Sequence, residues 1–156
     1  MSTTQEIKIG KGVNDIRFGI YRESLKKMLG EPDEIEQLSA DEDDEENEYF
    51  VEVWHYDDLD ISFSFDEEDD WRLMSIAANS SNIVFNGENI KGISPDQLKS
   101  QINESELGEL ETEELDDNQK LISILASSIN FWFENNALTE VQWGVLWTSE
   151  DTPKWP

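Results

Sequence analysis

Apolar and polar side chains alternate along several short runs of this chain. Leu59, Ile61, Phe63 and Phe65 point one way, while Asp60, Ser62, Ser64 and Asp66 point the other. Ile129, Phe131 and Phe133 oppose Asn130, Trp132 and Glu134. Val141, Trp143, Val145 and Trp147 oppose Gln142, Gly144 and Leu146. A period of two predicts half-buried strands with one packed face and one open, largely polar face. On that reading Trp143 joins the core and Trp132 stands on the open face. Trp54 alternates with Glu52 and Tyr56 and fits either side. Polar turns are expected at Asp57-Asp58, Asp66–Asp70, Ala126–Ser128 and Asn135-Asn136, where short polar side chains tolerate turn geometry.

The period changes at two places. Tyr21, Leu25, Met28 and Leu29 form a helical stripe, ended by Gly30-Glu31-Pro32. Ser94-Pro95-Asp96-Gln97 is a capping box with proline at the first helical position, and Leu98 and Ile102 share the following face. These helices are too short to stand alone, so they must pack on a sheet.

The two helical segments also align with each other. Gly19-Ile20, Leu25-Lys26 and Leu29 match Gly92-Ile93, Leu98-Lys99 and Ile102. Ile7-Lys8-Ile9 precedes the first and Ile83-Val84-Phe85 the second. Ile61-Ser62-Phe63-Ser64-Phe65-Asp66 then matches Ile129 to Glu134, and Leu73 and Ile76 match Leu138 and Val141. The order of parts predicts an internal duplication. It also makes a strand of 119–127, whose Leu121, Ile122 and Leu125 equally fit a helix. The expected fold is α+β: two tandem units, each a short helix packed on one face of an antiparallel sheet. The units span residues 1–79 and 80–147, with a loosely attached tail at 148–156 whose Trp155 could dock.

Composition narrows the chemistry. The chain has 156 residues with no cysteine and one histidine, His55. Disulfides and thiolate sites are impossible, and zinc sites with several histidines are excluded. No glycine-rich phosphate loop and no Gly-x-Ser-x-Gly occurs. No apolar run reaches the roughly 18–20 residues of a membrane span. The opening Met1-Ser2-Thr3-Thr4-Gln5-Glu6-Ile7-Lys8 lacks a basic segment and an apolar stretch, so a cytoplasmic location is expected.

Charge gives the strongest functional signal. There are 37 acids and 11 Lys plus Arg, a formal net charge of −26. Residues 31–70 hold 20 acids and no Lys or Arg; residues 103–118 hold eight more. Such patterned negative potential repels nucleic acid and anionic lipid and attracts basic partners. No Asp-x-Asp-x-Asn-Gly loop marks a calcium site.

Residues Gly19-Ile20, Leu25, Leu29-Gly30-Glu31-Pro32, Trp54-His55-Tyr56, Ile61-Ser62-Phe63 and Leu73 resemble the repeat unit of the β-lactamase inhibitor protein family. They are also similar to the small lipoprotein of the outer-membrane barrel-assembly machinery. The likeness covers most of 7–147 as two units. It implies a helix on an antiparallel sheet and a binding scaffold without a defined target. Those relatives are exported and carry disulfides or a lipidated cysteine, which this chain lacks. Its second copy also lacks the Gly-x-Pro stop and the Trp-x-Tyr strand.

The resulting expectation is a non-catalytic acidic protein that binds and neutralises a basic protein, most concretely a bacterial immunity or inhibitor protein against a toxin such as a nuclease. No catalytic residue, cofactor or metal is assigned, and neither nucleic acid nor membrane is an expected partner. Charge for binding is assigned to Asp41, Asp43, Asp44, Glu45, Glu46, Asp57, Asp58, Asp60, Asp66, Glu67, Asp69 and Asp70. Trp54 and Trp132 are assigned as apolar anchors, because tryptophan is enriched at interface hot spots. One alternative is a DNA mimic with regularly spaced carboxylates on one elongated surface. A second is a carboxylate-based, metal-dependent hydrolase with a deep pocket of convergent acids.

Overall fold

The computed structural model describes residues 4–39, 50–116, 118–149 and 152–156. The chain opens with three short strands, β1 (Gln5–Lys8), β2 (Gly12–Val13) and β3 (Ile16–Arg17), followed by helix α1 (Arg22–Leu29). Four strands follow: β4 (Glu34–Ser39), β5 (Phe50–Tyr56), β6 (Ile61–Asp66) and β7 (Arg72–Ala78). The second half runs β8 (Ile83–Phe85), β9 (Glu88–Asn89), α2 (Pro95–Gln101), α3 (Glu104–Leu107) and then β10 (Glu111–Glu114), β11 (Gln119–Ile124), β12 (Ile129–Glu134) and β13 (Ala137–Gly144). A hairpin of β14 (Leu146–Ser149) and β15 (Thr152–Lys154) ends the described chain.

This overturns the expected fold class of two tandem helix-plus-sheet units. The described residues are mostly β-structure in three sheets, with three short helices. Its main sheet has eight strands in the order β10-β11-β12-β13-β7-β6-β5-β4, so both halves share it. They join where β7 pairs antiparallel with β13, with Ala78 opposite Val141 and Ser75 opposite Gly144. They join again in a five-stranded sheet, where β1 runs parallel to β8. The physical reason is the edge strand. A four-stranded meander leaves an unpaired edge, and pairing β7 with β13 satisfies both edges at once.

The helices, of seven, eight and four residues, also cannot cover so wide an apolar face alone. The five-stranded sheet completes the covering layer. Phe85 of β8 meets Phe131 of β12 edge-on at 5.9 Å. Trp143, fully buried on β13, donates its indole N–H to the Gly12 carbonyl of β2 at 2.9 Å. A single core therefore runs through both layers, including Phe63, Phe65, Phe131, Leu25 and Leu98.

Within the shared sheet the halves keep matching local geometry. Gly19 N–H donates to the Leu73 carbonyl at 2.9 Å, and Leu73 N–H to the Ile20 carbonyl at 2.8 Å. In the other half, Gly92 N–H donates to the Leu138 carbonyl and Leu138 N–H to the Ile93 carbonyl, both at 2.9 Å. Each clamp needs a left-handed residue, and glycine adopts φ of 95° at Gly19 and 85° at Gly92 without strain. One extra residue bulges beside each clamped leucine, Met74 in β7 and Thr139 in β13. Each β5–β6-type connection is a short 3-10 turn closed by a left-handed residue, Asp60 in the first half and Ser128 in the second.

Local expectations meet the structure unevenly. The capping box forms: Gln97 N–H donates to Ser94 Oγ at 3.2 Å, and Ser94 N–H to Gln97 Oε1 at 2.9 Å. Leu25 is buried, but Tyr21 and Met28 of the same stripe remain about half exposed, because α1 is tucked in by its centre only. Residues 119–124 are strand and 125–127 a 3-10 turn. The tail is not loose. Trp155 lies under the Arg72 guanidinium at 4.0 Å.

Candidate functional site

The apolar face of the main sheet is covered, which leaves its other face as the broadest feature facing water. Strand pairing fixes what that face carries, because residues directly opposite in an antiparallel pair share a face. His55 pairs with Ser62, Ser62 with Ala77, Ala77 with Gln142, Gln142 with Asn130 and Asn130 with Ser123. One row on, Val53, Ser64, Ser75 and Gly144 are partners in turn. The middle of the sheet is thus a floor of small, uncharged side chains.

Carboxylates flank that floor along both edge strands and at the two ends of the first-half strands. On edge strand β4, Glu34 and Glu36 lie opposite His55 and Val53. On the other edge strand, β10, Glu111 and Glu113 lie opposite Ser123 and Leu121, the equivalent places in the second half. All four are exposed. Sequence reasoning did not select them, although the same period-two alternation, carried into the edge strands, marks them as open-face residues. His55 is held in this rim: its Nδ1 is 2.7 Å from Ser62 Oγ and its Nε2 is 3.1 Å from Glu36 Oε1.

The ends of the sheet hold the acids that were expected to bind. Asp57, Asp58 and Asp60 are exposed in the β5–β6 turn, where Asp57 N–H donates to Asp33 Oδ2 at 2.7 Å. Asp66, Glu67, Asp69 and Asp70 lie at the opposite end, in and beside the β6–β7 turn. The six residues of β6 separate the two groups by about 20 Å at about 3.3 Å per residue. They form two sections of a rim, and the acidic run read as one surface is divided. Asp41, Asp43, Asp44, Glu45 and Glu46 lie outside the described residues, in the connection between β4 and β5.

Electrostatic strain concentrates at the β6–β7 end. Burial pushes the Asp66 carboxyl up to about 6, with Asp69 and Glu68 adding repulsion. Asp69 is also raised, by burial first and then by Glu68 and Asp70, against an opposing pull from Arg72. These carboxylates repel one another in a half-dry setting, so a cation brought to them relieves stored repulsion.

The two tryptophan anchors separate. Trp54 is not an anchor. It faces the core with 6% exposure, packs on Phe65 at 5.2 Å and donates its indole N–H to Glu52. Its strand carries apolar residues on both faces, Val51 and Val53 against Trp54 and Tyr56, so alternation could not choose between them. Trp132 does stand on the open face, half-buried between Leu121 and Glu140.

Glu140 itself was missed. It is a half-buried carboxylate among the neutral residues of the floor, raised by burial and lowered by Lys91. The Lys91 ammonium is engaged elsewhere, donating to the Asn79 and Thr139 carbonyls at 2.6 and 2.8 Å. Beside Trp132 and Glu140 lies a cavity of about 320 Å³. A larger polar one of about 560 Å³ lies at the β10–β11 and β12–β13 turns, and a basic one of about 410 Å³ is lined by Lys8, Lys11 and Arg17. Among the described residues, no group of three or more His, Asp or Glu is arranged to hold a metal ion. No described helix is long and apolar enough to cross a membrane.

Solved structures with a similar fold include two bacterial proteins. One is an extracellular protein containing a SCP domain from Bacillus anthracis str. Ames, with a TM-score of 0.51 and 18% identity over 89% of this chain and 50% of that one. This chain therefore spans half the length of the Bacillus protein. The other is the uncharacterized protein yfeY from Escherichia coli, with a TM-score of 0.50 and 12% identity over 91% of this chain and 99% of that one. At these identities the likeness concerns the fold alone. No family model and no curated protein matches the chain.

Proposed function

We propose that this chain is a non-catalytic binding protein whose open sheet face receives and neutralises a basic protein, in its concrete form a bacterial immunity or inhibitor protein against a toxin with a basic, nucleic-acid-binding cleft. The observation that supports the reading is the layout of the open face. Its centre is flat chemistry, serine, alanine, asparagine and glutamine, which lets a partner approach closely. Carboxylates stand along both edge strands and at both ends. A neutral floor inside a negative rim steers a positive body inward and then allows contact. A standard contact of about 800 Å² on each partner needs a surface of this kind. A DNA mimic calls for a regular row of carboxylates, whereas the described acids flank a largely uncharged centre on separate edges and turns.

The test is affinity capture from a bacterial lysate at about 20 mM and about 500 mM salt, followed by reconstitution with the purified partner. The reading expects a basic protein whose capture weakens with salt and whose activity is blocked at one-to-one stoichiometry. Replacing Glu34, Glu36, Glu111 and Glu113 together by Gln should slow association while the protein stays folded. Capture of nothing at low salt, or an association rate unmoved by those four changes, removes the reading.

A further inference from the structure

The two halves provide an internal control for what the scaffold requires. Ser64 lies opposite Ser75 in the first half, one step before the bulge. The equivalent pair in the second half is Trp132 opposite Glu140, again one step before the bulge. Strand order, bulge and leucine clamp are alike in both places. The sheet is therefore complete with two serines at this position, and neither an indole nor a carboxylate is needed to build it.

Both replacements also carry a cost. The Trp132 indole N–H is buried with no acceptor among the described residues, and an unmet buried donor lowers stability. Glu140 is half-buried, and no hydrogen bond or ion pair from a described residue reaches its carboxylate; the nearby Lys91 ammonium is occupied by two carbonyls. Beside them opens the cavity of about 320 Å³, lined by Gln119, Trp132, Phe133, Glu134, Thr139 and Glu140. It offers one large aromatic face and two carboxylates; the Lys91 ammonium lowers the Glu140 carboxyl from nearby but spends its own hydrogen bonds on two carbonyls.

We propose that this cavity is a socket for one arginine side chain of the basic partner, its guanidinium lying against the Trp132 indole and donating to Glu140 and Glu134. Arginine fits better than lysine for two reasons. A planar guanidinium stacks on an aromatic face and sheds water more readily than an ammonium. Its fork of donors also matches a carboxylate side by side. A half-buried tryptophan next to a desolvated carboxylate is the setting in which single residues dominate an interface. The identity of the partner rests on the proposed function, but the socket's chemistry does not.

The test reads the Trp132 indole N–H cross-peak in a ¹H–¹⁵N spectrum, assigned by its loss in Trp132→Phe. The full chain is titrated with acetyl-arginine methylamide, acetyl-lysine methylamide and, as control, acetyl-glycine methylamide at matched salt. The arginine compound should shift the peak to saturation, with a midpoint about fivefold lower than the lysine compound. Glu140→Gln should raise the arginine midpoint about fivefold while leaving the rest of the spectrum in place. An unmoved peak, equal midpoints for the two cations, or no effect of Glu140→Gln overturns the socket. The double change Trp132→Ser with Glu140→Ser gives the second half the residues of the first and should remain folded. A captured basic partner that binds this double variant as tightly as the parent removes the socket and leaves the proposed function. Arginine binding without any captured basic partner does the reverse.

Discussion

Replacing Asp66 by Asn should make this protein more stable at neutral pH. Asp66 sits at the last position of β6, half-buried, with Asp69 and Glu68 beside it, and its carboxyl is pushed up to about 6. In the unfolded chain it returns to the ordinary value of 3.8. Between those two values the folded state binds more protons than the unfolded state, so stability falls as pH rises from 3.8 through 6. Above pH 6 the full penalty is present; below 3.8 it is absent. At about 1.4 kcal/mol per decade the gap sets a ceiling of about 3 kcal/mol. The carboxyl is only half-buried, so solvent screening reduces this to about 1 kcal/mol. Asparagine keeps the shape and removes the charge. The backbone bond from Trp71 N–H to the Asp66 carbonyl, at 2.8 Å, is unaffected by the change. Urea unfolding at pH 7.5 should show a higher midpoint for Asp66→Asn with an unchanged slope. At pH 3.5 the two midpoints should converge. An Asn variant that is no more stable at pH 7.5, or whose gain persists at pH 3.5, refutes the assignment of a carboxylate destabilised by burial, and then by its neighbours' charge, to this site.

Two further expectations concern the joints between layers and halves. Trp143→Phe keeps the apolar volume but leaves the Gly12 carbonyl without its donor in the core, and should cost about 1–3 kcal/mol in urea unfolding. Lys91→Met removes the ammonium that holds the Asn79 and Thr139 carbonyls where β7 meets β13 and takes the countercharge from Glu140. It should lower the thermal midpoint, with a loss of about 1–2 kcal/mol.

What could be read from the sequence follows the reach of each physical cause. Alternation in 61–66 and 129–134 is a property of neighbouring residues, and it placed Phe63, Phe65, Phe131 and Phe133 in the core and Trp132 outside it. The Ser94–Gln97 capping box closes within four residues and was legible for the same reason. Trp54 failed because β5 is apolar on both faces, so only the identity of the covering layer decides which side is dry. Lys91 and Glu140 gave no signal at all. Their positions are set by a pairing between strands far apart in the chain, with Ala78 opposite Val141.

Sequence alone, then, determined the local elements, the matching order of parts in the two halves, and the excess of carboxylates. Tertiary structure decided that the halves share one sheet, because each meander leaves a hydrogen-bonding edge whose partner no local pattern names. It also decided where the charges go. One unbroken acidic stretch is cut by a strand whose ends lie on opposite sides of the sheet, so 57–60 and 66–70 face apart, and the edge strands β4 and β10 bring Glu34, Glu36, Glu111 and Glu113 to matching places. Charge is counted along the chain, but electrostatic potential depends on distance through space, and only folding sets that distance.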